Sequence, residues 1–181
     1  MIGTLEHFDK AAELREEFDR TFALSPTAQG EEGFESLLAI RVAGNAYAVR
    51  LSEISGLVNN RKTVPFPSPI PEFLGVAGIR GELVAVYSLA ALLGCGLTGD
   101  TPRWLVICGP HDPVGLAFPE FESFLRISPS AIYPAQRGEG LRDHVTEVVR
   151  ASATVRAVLS IPSMLQAIKG RIGKGRPSKE R

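Results

Sequence analysis

Residue types that usually carry chemistry are scarce in this chain. Its 181 residues include two cysteines, three histidines, two methionines and one tryptophan. Cys95 and Cys108 match no CxxC or Cys/His spacing, which argues against a disulfide framework and a zinc site and leaves two reduced thiols expected to be buried. His7, His111 and His144 lie far apart without carboxylates at ligand spacing, so no metal site is expected. His7, near the start of a helical pattern, reads as a solvated side chain rather than a phospho-acceptor.

Long apolar runs are also missing. The longest, Leu83 to Leu93, is interrupted by Ser88 and falls short of the roughly 18 residues that cross a bilayer. The opening MIGTLEHFDK lacks the basic and apolar regions of a signal peptide, so a cytoplasmic protein is expected. No GxSxG, HExxH or paired-carboxylate pattern occurs. GVAGIRGE is neither a dinucleotide fingerprint nor a P-loop, and GRIGKGR lacks Walker spacing. With no catalytic residue, cofactor or small-molecule substrate to propose, a non-enzyme is expected.

What is present is an asymmetry of charge and two kinds of periodicity. The formal charge is zero, yet residues 1–35 carry nine acidic groups against Lys10, Arg15 and Arg20, while residues 169–181 carry six basic groups against Glu180. Leu5, Phe8, Ala11, Ala12, Leu14, Phe18 and Phe22 recur at three- and four-residue steps, the pattern of an amphipathic helix with Thr4 as N-cap. SPTAQGEE then reads as a linker. The predicted divisions are 1–33 for helix and linker, 34–168 for the main domain and 169–181 for a basic, disordered tail.

From Phe34 the grammar is that of strands. SLLAIRVA, a turn at Gly44-Asn45 and AYAVRL predict a hairpin, and WLVIC, GPHDP and VGLAF predict a second. An offset of 67 aligns Leu38 with Leu105, Ile40 with Ile107, Val49 with Leu116 and Glu53 with Glu120; an offset of 72 lays LVAVYSLAALL on VRAVLSIPSML. A period near 70 residues is too long for a solenoid and implies an internal duplication. Short strands without long crossover helices make the fold mainly β. The four prolines of VPFPSPIPEF predict an extended surface loop. Arg80, at a tight turn between two strands, could project a guanidinium to a partner carboxylate or serve an internal salt bridge; spacing leaves both open.

The ordered series LLAIRVAGNAYAVRLSEISGLV, the proline-rich loop, FLGVAGIRGELVAVYSLAALLG, WLVICGPHDPVGLAFPEFESFLRI and a final strand and helix resembles the CheW adaptor domain from about Phe34 to Ile168. The resemblance implies two intertwined five-stranded SH3-like β-barrels with short helices, here preceded by the N-terminal amphipathic helix. It implies a non-catalytic scaffold of bacterial chemosensory signalling. The implied partners are the regulatory domain of a CheA-like histidine kinase, the cytoplasmic tip of a methyl-accepting chemoreceptor and other CheW-like domains. The resemblance places Arg80 at the hallmark arginine of the family's Asn-Leu-Arg-Gly motif, and Ile54, Leu57 and Val58 on the apolar face. Gly75 and Val76, just ahead of the motif, complete the expected partner-binding set.

The chain departs from the family pattern at Gly56 (commonly Glu), Gly78 (Asn), Ser88 (Asp) and Pro119 (Asp), which implies retained architecture with altered partner choice. Two other readings stay open. One is an accessory or competitor that engages a single partner. The other is a nucleic-acid or anionic-membrane module using the basic tail, disfavoured because the tail lacks aromatics.

Overall fold

The computed structural model describes residues 33–96, 101–109, 112–135, 143–151 and 153–174. The expected N-terminal helix, its linker, His7 and His111 lie outside these residues.

Among the described residues, twelve strands and two α-helices follow Gly33. In chain order they are β1 (Glu35–Val42), β2 (Asn45–Arg50), β3 (Gly56–Asn59), β4 (Thr63–Val64), β5 (Phe73–Ile79), β6 (Glu82–Ser88), α1 (Leu89–Leu92), β7 (Trp104–Cys108), β8 (Val114–Phe118), β9 (Glu120–Ile127), β10 (Ile132–Pro134), β11 (Val145–Ala151), β12 (Thr154–Leu159) and α2 (Ile161–Lys174). They form two six-stranded sheets, β10-β11-β12-β2-β1-β9 and β3-β7-β8-β6-β5-β4.

The duplication is exchanged between these sheets. Hairpin β1–β2, from the first half, joins β9 to β12 of the second, and hairpin β7–β8 joins β3 to β6 of the first. Each sheet contains one parallel contact, β12 with β2 and β6 with β8, where the two halves meet. The halves are therefore intertwined, as expected. The expected five-stranded barrels are met as six-stranded sheets whose end strands do not hydrogen-bond to each other among the described residues. The added strands, β4 and β10, are two and three residues long, too short to close a ring.

Intertwining explains the continuous apolar runs. Leu37 through Ile40 are all fully buried because β1 is covered on both faces. Leu38 and Ile40 enter a cluster shared by the two halves, with Val106, Cys108, Leu116, Phe118 and Met164. Leu37 joins a small cluster within its own sheet, and Leu105 and Ile107 join the equivalent cluster of the other. This corrects the offset of the first strand. Leu38 pairs with Val49 and Val106 with Leu116, so β1 matches β7 at 68 while β2 matches β8 at 67. A slip of one residue exchanges the faces of a strand, and only the 68 offset keeps Leu38 and Val106 in the same core.

The first turn also differs from expectation. Val42 pairs with Asn45, which leaves Ala43 (φ +50°) and Gly44 (φ +76°) as the central residues. Two positive φ values mark a type I′ turn, whose twist suits a two-residue hairpin.

The basic segment is helical up to Lys174, past the boundary expected at 168. Ile172 continues the stripe of Ile161, Met164, Leu165 and Ile168, and Arg171 pairs with Glu72 at 2.5 Å. The low apolar content that suggested disorder hid this continuation. No helix among the described residues is long and apolar enough to cross a membrane.

Candidate functional site

Arg80 and Gly81 are the central residues of the β5–β6 turn, with φ of +52° and +87°, between the paired Ile79 and Glu82. A left-handed conformation is uncommon for arginine, and the tight pairing on both sides holds it there. The side chain is exposed and folds back over β3. Its Nη2 lies 3.9 Å from where a Cβ on Gly56 would stand. Within the sheet, β3 and β6 are separated by β7 and β8, so the approach means that the sheet curls strongly. Among the described residues no carboxylate pairs with Arg80.

Beneath the guanidinium is a cleft of about 260 Å³ lined by Ser55, Gly56, Val58, Ile79, Arg80, Glu82, Val84, Ile107, Gly109 and Pro113. Its floor is apolar. Ile79, Val84 and Ile107 belong to the small cluster of this sheet, and Val58 packs against it. Ser55 is fixed at one wall, its amide and Oγ both donating to Ile107 O at 2.7 and 3.0 Å. Glu82 lines the rim without pairing to Arg80.

The six expected contact residues divide. Arg80 and Val58 share the cleft. Ile54 and Leu57 are half-buried against the shared core, and Leu57 opens onto a neighbouring recess with Asn59, Arg61 and Trp104. Gly75 is buried and presents no side chain. It sits at a bulge with φ +134°, and a Cβ there would stand 2.0 Å from Val64 O, so its role is to admit β4 and the start of the proline loop. Val76 is half-buried and paired with Val64. Cys108 is buried, and burial together with the charge of Glu53 pushes its thiol up to about 12, which makes it inert; Cys95 is only half-buried.

Sequence reading missed the ionic groups. Burial alone would raise the Glu122 carboxyl, but hydrogen bonds and charge from Arg41 and Arg156 prevail and hold it below the usual range. Burial opposes the charge of Arg50 as well, yet bonds to Glu147 and Glu35 raise its pKa, and the pairs tie β2 to β11 and β1. Such partners lie up to 97 residues apart and leave no local signal. Ser88, one of the departures, keeps a structural role: its Oγ accepts from the Ala91 amide and caps α1.

No group of His, Cys, Asp and Glu among the described residues could hold a metal ion. No curated protein matches the chain. The crystal structure of the scaffolding protein TtCheW from Thermoanaerobacter tengcongensis superimposes with a TM-score of 0.63 at 15% identity, covering 70% of this chain and 89% of that one. A family model for the CheW-like domain matches residues 36–169. The matched stretch begins on β1, ends within α2 and takes in both sheets, so the chain belongs to the CheW-like domain family.

Proposed function

We propose that this protein is an adaptor that couples the cytoplasmic tips of chemoreceptors to a CheA-type histidine kinase, binding the kinase through its regulatory domain. Membership of the CheW-like family supports a scaffold role in chemotaxis and a non-catalytic one. The observation that carries the choice of surface is Arg80. It is an exposed guanidinium with no carboxylate partner among the described residues, held on a two-residue turn above an apolar cleft, the combination of anchor and orientation that gives an interface its specificity. Val58 lies at the same cleft and Leu57 at the recess beside it, and Ile54 packs against the shared core.

Co-sedimentation with receptor-bearing membranes and purified kinase tests the reading. Wild type is expected to be retained by both, and Arg80→Glu is expected to lower retention at least tenfold. Undiminished retention of Arg80→Glu would remove the site. Retention of wild type by neither would remove the function, and retention by one alone would identify an accessory that engages a single partner.

A further inference from the structure

The proline-rich loop between β4 and β5 takes no part in the cleft beneath Arg80. Phe66, on this loop, is 65% exposed, the most exposed aromatic ring among the described residues, and Val64 just before the loop is 53% exposed. Single exposed apolar groups are common on protein surfaces; the backbone sets these apart. Pro65 and Pro67 flank Phe66, and Pro69 and Pro71 follow, so alternate residues carry no N–H. Of the amides that remain, Ile70 donates to Ser68 Oγ at 3.1 Å and Phe73 to Ile70 O at 3.1 Å. Each proline also restrains the residue before it to an extended conformation, which orders Val64 and Phe66 in advance. A segment with few free donors and an ordered ring loses little on entering a layer of low dielectric.

The loop runs between two groups of cations. At its start Arg61, Lys62 and Arg103 line a cleft of about 310 Å³ together with Thr63, Leu74 and Leu105. At its end Glu72 holds Arg171, which brings the last turns of α2 alongside, where Lys169 is exposed and Ile172 is 49% exposed. Among the described residues no carboxylate pairs with Arg61, Lys62, Arg103 or Lys169, and the sequence has no acidic residue between Glu53 and Glu72. Residues 169–181 contribute six basic groups to the α2 end of the chain.

We infer that the proline loop is a contact site for an anionic lipid surface. Phe66 and Val64 enter the boundary between headgroups and acyl chains, and the cations at either end of the loop hold the headgroup phosphates. Apolar side chains flanked by Lys and Arg, with no carboxylate between them, match the chemistry of such a layer. The aromatic group that the basic tail lacks is supplied by Phe66. A proline-recognition domain fits less well, because it reads PxxP, whereas these prolines recur at every second residue and do not share one edge of a helix of about three residues per turn. A strand laid against the loop would find no donor along the edge that the prolines occupy. The inference goes beyond the adaptor reading and does not depend on it.

The test uses the full chain at low salt with receptor-free vesicles of equal parts phosphatidylglycerol and phosphatidylcholine. Wild type is expected to co-sediment with these vesicles and to stay in solution with phosphatidylcholine alone. Phe66→Ser is expected to weaken partition at least about fivefold. Arg61→Ser with Lys62→Ser is expected to weaken it about 25-fold, since each cation near an anionic surface is worth roughly a fivefold change. All three side chains are exposed, so both variants are expected to melt with wild type. Phe66→Trp supplies a depth probe: brominated acyl chains are expected to quench its added emission and to leave that of the half-buried Trp104 in wild type unchanged. Undiminished partition of Phe66→Ser, equal retention by phosphatidylcholine alone, an unquenched Phe66→Trp or no retention at all would each overturn the inference. A dimer in solution that Phe66→Ser returns to monomer, without vesicle binding, would give the loop to a second copy of the chain and overturn it as well. The vesicles hold neither receptor nor kinase, so none of these outcomes bears on the adaptor reading, whose failure is read with those proteins present.

Discussion

Arg156 reaches from β12 to one carboxylate oxygen of Glu122 on β9, with β2 and β1 between them in the same sheet, while Arg41 takes the other oxygen. Side chains therefore fasten an edge that the backbone leaves open. The three members are not equally exposed: the side chains of Arg156 and Glu122 are 10% and 18% accessible, that of Arg41 39%. Glu122→Gln strands a largely buried guanidinium whose Nε already lacks a partner, and is expected to cost about 2–4 kcal/mol. Arg41→Gln removes a partly solvated partner and is expected to cost at most about 1 kcal/mol. Urea unfolding midpoints distinguish the two. Equal costs would mean that the cluster does not hold the curl.

Ser88 and Ser160 stand at the same point of the two halves, each closing a strand and opening a helix. Ser88 Oγ accepts from the Ala91 amide at 3.2 Å and Ser160 Oγ from the Ser163 amide at 3.3 Å. Glu53 adds a second cap to α2, accepting from the Ile161 amide at 2.9 Å. Ser88→Ala and Ser160→Ala are each expected to cost about 1 kcal/mol. In Ser160→Ala the loss should be the smaller one, because Glu53 still satisfies one of the exposed amides. Thermal melts of the two variants and of Glu53→Ala with Ser160→Ala check the order.

The offset of 72 was legible because it rests on a strand and a helix that both carry their signal locally: LVAVYS and VRAVLS run into a serine cap and an apolar helix. The first-strand offset was misread by one because Leu37 to Ile40 and Leu105 to Cys108 are buried on both faces, and a strand without alternation does not announce its register. Arg80 could be placed at a turn from its Ile-Arg-Gly context. The cleft beneath it could not, since Ser55, Val84 and Gly109, which line that cleft, come together only through the exchange of hairpins. Gly75 looked like part of a contact surface beside Arg80, but the restraint on it comes from Val64, brought alongside by β4 pairing.

Gly75 and Gly78 lie in one strand, yet their tolerance should differ sharply. At Gly75 a Cβ would overlap Val64 O at 2.0 Å and Pro65 Cα at 2.9 Å, both backbone, with φ at +134°. Gly75→Ala is expected to cost more than about 3 kcal/mol or to prevent folding, since neither the clash nor the conformation can relax without displacing the proline loop. At Gly78 nothing lies within 4 Å, and Gly78→Ala or Gly78→Asn is expected to stay within about 1 kcal/mol of wild type. Soluble yield and urea midpoint report both. Ready tolerance at Gly75 would contradict the close approach of β4.

His144 gives the protein a stability that depends on pH. The ring is 8% exposed, and its Nδ1 lies 2.9 Å from Ser163 Oγ on α2. Burial lowers its pKa below the ordinary 6.5; Asp143 opposes the shift and Arg171 adds to it. Because the folded chain holds this proton less tightly than the unfolded chain, acid favours unfolding. The contribution is fully present above about pH 6.5 and is lost as the pH falls from there through the lower folded-state value. One proton sets a ceiling of about 1.4 kcal/mol per pH unit on this loss. Melting temperatures of wild type and His144→Gln, measured from neutral pH to about pH 5, should converge as the pH falls, the wild type losing stability faster. Parallel curves would show that the acid response arises from the carboxylates, Glu122 foremost, and not from this histidine.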